Sequence, residues 1–198
     1  AGYNYFTIDT EDLVPRLAEM GPYSTLIWHI DSASGSMATE NTWQDLACYL
    51  DWGGQLIITG IKPSRAFYGD FSYPGVFEPG TFLHDYLKIS GAQYQSLGRF
   101  YEAVSVHGDF SHIQVDTLKT PLAFNYHLYN IESISPAAES ETIFIYGSQF
   151  ADDNPFGVMN NLPVGVGYFG EDYKVVTLSF PLYYMDPEQS RDFMLLLL

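Results

Sequence analysis

Apolar residues recur at helical spacing most clearly between Thr42 and Gly60, in the stretch TWQDLACYLDWGGQLIITG. Trp43, Leu46, Ala47 and Leu50 stand at i, i+3, i+4 and i+7, which places one apolar stripe on a helix. Thr42 with Asp45 three residues on has the form of a capping box, and Gly53-Gly54 supplies a left-handed stop. Gln55–Thr59 follows with Leu56, Ile57 and Ile58 on consecutive positions, so both faces of a strand there are expected to be buried. Strands of that kind belong to sheets covered by helices on each side.

The rest of the pattern is less regular. Tyr3–Ile8 reads as a short strand, and Thr10 can cap a helix over Glu11–Met20 that Pro15 shortens or disturbs. Ser24–Ile30 reads as a second buried strand, and Asp31–Glu40 as a loop rich in Ser, Ala and Gly. Gly60–Pro79 reads as one long loop carrying Phe67, Tyr68, Phe71, Tyr73 and Phe77, and Thr81–Ile89 as a second short helix. From Tyr101 the period changes to two, giving strands at Glu102–His107, Glu141–Tyr146, Pro163–Phe169 and Tyr173–Phe180. Pro187 precedes a closing helix over Asp192 to Leu198, whose MLLLL run is expected to face the core. The fold class this predicts is α/β: a three-layer, flavodoxin-like, mostly parallel sheet flanked by helices, with a β-rich C-terminal half.

The segments TLIWHID, TWQDLACYLDWGGQLIITG and TFLHDYL, with YKVVTLSFPLYYM and EQSRDFMLLLL near the end, resemble the glutamine-amidotransferase-like domains of large secreted bacterial proteins. The likeness covers most of the chain. It implies a single domain over residues 1–198 that works beside other domains of an exported or cell-surface polypeptide. It also implies a first, central strand before Tyr3, which this chain starts too late to hold. The expectation is therefore a fragment of a longer chain, or a fold whose first strand comes from another segment or subunit.

Composition narrows the partners. Hydrophobic residues make up 46% of the 198 and aromatics 17%, which argues for a packed globule. Acids outnumber bases 24 to 8, for a net charge of −16, so neither a phosphate backbone nor an anionic membrane surface is a natural partner. The single cysteine, Cys48, excludes an intrachain disulfide, and MLLLL is far too short to cross a bilayer. The expected partners are neighbouring domains, another protein, or a carbohydrate.

Amidotransferase chemistry needs a cysteine on the sharp turn from strand to helix. The turn after Gln55–Thr59 reads Gly60-Ile61-Lys62, Cys48 falls inside the predicted helix, and no GxSxG elbow is present. No catalytic residue and no cofactor are assigned. The histidines lack metal-ligand spacing, His107 and His112 being the nearest approach to a cluster. Ligand sites in open α/β sheets lie beyond the carboxyl ends of the strands, which here brings Asp31, Ser34 and Ser36 opposite Lys62, Arg65 and Tyr68. Asp31 with Ser34 or Ser36 could hold a sugar hydroxyl or a cation, with Lys62, Arg65 and Tyr68 facing them across a cleft; a solvated loop capped by Asp31 and simple ion pairing are the plainer explanations. Asp152, Asp153 and Asn154 form an oxygen-rich turn, a weak calcium candidate without a full ligand series. The leading expectation is a non-catalytic accessory or interaction domain. The alternatives are a hydrolase or sugar-processing enzyme with its site at the strand ends, and a carbohydrate-binding module using the Tyr68–Phe77 aromatics.

Overall fold

A computed structural model describes residues 5–8, 15–30, 40–120 and 126–198. The helix at the centre of the pattern is α2 (Glu40–Asp51), which buries Leu46, Tyr49 and Leu50. Gly53 takes φ +86°, the left-handed stop the sequence predicts, and the chain turns into β2 (Gln55–Gly60). The helix starts at Glu40, before the expected cap. Thr42 is therefore buried in its first turn, and Asp45 pairs with Arg16 at 2.5 Å.

β2 lies between two parallel neighbours. These are β1 (Thr25–Ile30), with Trp28 opposite Ile58, and β10 (Lys174–Leu178), with Thr177 opposite the same residue. Beyond β10 every pairing is antiparallel. β9 (Pro163–Phe169), β8 (Glu141–Gly147), β5 (Glu102–Ser105) and β6 (Ile113–Gln114) complete a seven-stranded sheet of order β1-β2-β10-β9-β8-β5-β6. A second sheet holds β3 (Gly75–Val76), β4 (Ile89–Gln93) and β7 (Ser133–Pro136), all antiparallel.

This corrects the expected fold class. The molecule is mostly β, with a curled mixed sheet, and is not a mostly parallel, three-layer flavodoxin-like sandwich. The physical reason lies in the helices. α1 (Leu17–Met20), α3 (Pro63–Tyr68) and α4 (Phe82–Asp85) are four to six residues long, and only α2 and α5 (Pro187–Leu197) reach three turns. So few turns cannot cover both faces of a long sheet. One face instead packs Leu56, Ile58 and Val175 against α2, α3, α4 and the small sheet. The other packs Val176, Leu178 and Phe144 against Phe100, Phe180 and Phe193. The β-rich half is thus the larger part of the sheet itself.

Several elements differ from their predicted form. Tyr3 and Asn4 lie outside the described residues; Tyr5 to Ile8 form no strand, and Tyr5 and Phe6 are exposed. β1 is an outer strand among those described, and its Ile27 and His29 face solvent, so it is not buried on both sides. The supposed loop Gly60–Pro79 contains α3 and β3, and Thr81–Ile89 divides into α4 and the start of β4. Leu195, Leu196 and Leu198 are exposed; α5 buries Phe193 and Ser190 instead.

Candidate functional site

β2 ends at Gly60, with φ +150°. A Cβ there would fall 2.1 Å from the Ile30 carbonyl oxygen, so only glycine lets β1 and β2 approach this closely. Lys62 then adopts a left-handed conformation (φ 52°), and Pro63 occupies the first turn of α3, where its missing N–H is harmless. This sharp strand-to-helix turn aims Ser64 inward. The Ser64 N–H donates to Glu132 Oε1 at 2.8 Å, and its hydroxyl donates to Oε2 at 2.5 Å. The Tyr73 hydroxyl donates to the same Oε2 at 2.7 Å. Glu132 immediately precedes β7, and its carbonyl accepts from Ser179 Oγ at 2.6 Å, just past β10.

Two cations stand over this core. Lys62 Nζ is 4.0 Å from the centre of the Tyr94 ring and 3.5 Å from Asn130 Oδ1. The Arg65 guanidinium lies 5.3 Å from the centre of the Tyr73 ring and donates to the Phe71 carbonyl at 3.4 Å. Burial pushes the Glu132 carboxyl above the usual carboxylate range; the Ser64 and Tyr73 hydrogen bonds and the Lys62 charge oppose that shift without cancelling it. Burial, then the neighbouring Glu132, pushes the Tyr73 hydroxyl far up, so its proton stays in place. Burial and then repulsion from Arg65 lower Lys62.

A serine on a strand-to-helix turn beside a carboxylate invites a catalytic reading, which the geometry refuses. The Ser64 hydroxyl donates to the Glu132 carboxyl, and no imidazole is paired with it. Both Ser64 and Glu132 have zero solvent exposure. Glycoside hydrolysis needs two carboxyl groups flanking an open cleft, and Glu132 is sealed with all its contacts internal. The cluster is a polar tie joining the β2–α3 turn to β7 and β10.

Of the predicted residues, Lys62 and Arg65 do come together, near enough to repel each other, with Arg65 over the Tyr73 ring and Lys62 within reach of the Glu132 charge. Tyr68 does not join them: its ring packs 5.9 Å from Phe71 and 5.0 Å from Phe77. Asp31, Ser34 and Ser36 lie outside the described residues. The Asp152 carboxylate accepts from Asn160 and Asn161, and Asn154 Oδ1 accepts from the Phe156 N–H, so these two use side-chain oxygens internally, while Asp153 is exposed. Among the described residues no group of three or more His, Cys, Asp or Glu is placed to hold a metal ion. His112 Nδ1 accepts from the Ser105 N–H and His107 Nδ1 from the Asp109 N–H, which orients both rings on the β5–β6 hairpin. Sequence reasoning does not single out Glu132, Ser64, Tyr94 or Asn130, and it reaches Tyr73 only as one of the aromatics of the Gly60–Pro79 stretch. The local sequence Asn130-Ile131-Glu132-Ser133-Ile134-Ser135 mixes polar and apolar residues and does not mark Glu132 as buried.

No family model and no curated protein matches the chain. Solved structures do. The cold-adapted β-galactosidase from Rahnella sp. R3 matches over 90% of this chain at a TM-score of 0.53 and 11% identity. Gan42B, a GH42 β-galactosidase from G. stearothermophilus, matches over 90% at 0.54 and 14%. The N-terminal domain of mmIFT52 matches over 93% at 0.54 and 11%, covering 79% of that chain. At these identities the likeness is one of fold. The chain spans about a fifth of the β-galactosidases, 22% and 21% of their lengths.

Proposed function

We propose that this chain is a non-catalytic domain of a larger sugar-processing protein. The observation that carries the reading is the fold likeness to a segment about a fifth as long as two β-galactosidases from different organisms. The sealed Glu132 supports the non-catalytic part: among the described residues it is the one buried carboxylate, and it is held by Ser64 and Tyr73. The domain contributes structure to its parent, whose sugar chemistry is done elsewhere.

The test offers a panel of nitrophenyl glycosides to the longest natural polypeptide containing these 198 residues, and to the 198-residue chain alone. The expected result is hydrolysis by the first and none by the second. Turnover by the chain alone, or no glycosidase activity in the longer polypeptide, contradicts the proposal.

A further inference from the structure

At the amino ends of β2 and β10, the end of the sheet remote from Glu132, two connections face each other. Asp51, Trp52 and Gly53 lead from α2 into β2, and Glu171, Asp172 and Tyr173 lead from β9 into β10. Between them lies an open groove of about 470 Å³. Trp52 is 76% exposed, so an indole face is open to solvent; Trp28 and Trp43, by contrast, pack against the core. The walls are fixed. The Tyr86 hydroxyl donates to Asp51 Oδ2 at 3.1 Å, and the Tyr173 hydroxyl donates to the Asp85 carbonyl at 3.1 Å.

The lining selects the ligand. Every charged residue in the groove is an acid, so phosphates, sulfates and acidic glycans are repelled. No group of three His, Cys, Asp or Glu there could cage a metal. Cages for quaternary ammonium use several aromatic walls, and here one indole stands free. A neutral pyranose suits all three features: its C–H face stacks on the indole, and its hydroxyls donate to the carboxylates, which accept charge-assisted hydrogen bonds.

We propose that this groove is a binding subsite for a neutral, galactose-containing oligosaccharide, with Trp52 as the stacking platform and Asp51, Glu171 and Asp172 as hydroxyl acceptors. The choice of galactose rests on the sugar-processing reading. The experiment titrates the 198-residue chain with β-1,4-galactotriose, following tryptophan fluorescence and calorimetry. The expected result is saturable binding with a Kd on the order of 1 mM, weakened at least about tenfold by Trp52→Ala and largely restored by Trp52→Tyr. Trp52 is exposed, so the folded far-ultraviolet spectrum is expected to survive both changes.

No saturable response, binding that Trp52→Ala leaves unchanged, or Trp52-dependent binding of a lysine-rich peptide in place of the sugar overturns the proposal. The two readings fail separately. Glycosidase activity in the longer polypeptide without galactotriose binding sinks the groove alone; Trp52-dependent binding without any such activity sinks the sugar-processing role alone.

Discussion

Glu132 shows how much one carboxylate can organise when it is fully buried. Removing either donor leaves a partly unsatisfied group in the interior, so Ser64→Ala and Tyr73→Phe are each expected to destabilise the fold by about 1–3 kcal/mol in urea denaturation. Both donate to the same oxygen, so the double variant is expected to depart from additivity by at least about 0.5 kcal/mol. The raised pKa makes a second prediction. Protonated Glu132 favours the folded state, so its contribution is complete below the ordinary carboxylate range and is lost as pH rises through the raised folded value. Glu132→Gln is neutral at every pH. Its melting temperature should therefore fall less steeply than that of the wild type as pH is raised from about 4 towards neutrality. Parallel slopes would show that Glu132 does not titrate in this way.

At the scale of elements, α5 begins with Asp186, whose Oδ1 accepts from the Glu188 and Gln189 N–H groups at 3.0 and 2.9 Å. Asp186→Ala is expected to lower stability by about 0.5–2 kcal/mol, seen as a lower urea midpoint with unchanged slope. Much of the element pattern was legible in the sequence. α2, its glycine stop and β2 follow from local periodicity and turn chemistry, and β8 and β9 from alternation. What failed was whatever depends on distant partners. α3 hides in an aromatic stretch because its stability comes from Phe67 and Phe82 packing together, not from helix propensity. β4 and β7 are short and pair with each other across at least forty residues, from Gln93 to Ser133, so no local window reveals them. The parallel unit around β2 was read correctly and then extended to strands that pair antiparallel, which is how the fold class went astray. The site divided the same way: the strand-end rule led to Lys62 and Arg65, whereas Glu132 reaches them only through the tertiary fold.

Across the whole molecule, the charge of −16 makes self-repulsion a destabilising term. Added sodium chloride should raise the melting temperature as screening sets in over tens to hundreds of millimolar; a flat response would show that the acids are locally compensated. No helix among the described residues is long and apolar enough to cross a membrane. The molecule has a sheet with a core on each face, a sealed polar tie at the carboxyl ends of β2 and β10, and an open acidic groove at their amino ends. The central claim is that the sealed end holds the fold and performs no chemistry. The direct measurement is galactoside turnover by the longest natural polypeptide containing this chain, with and without Glu132→Gln, below the melting temperature of both. A kcat/KM unchanged to within about twofold is the expected result. A loss of about a thousandfold in a folded variant would make Glu132 catalytic and contradict the account.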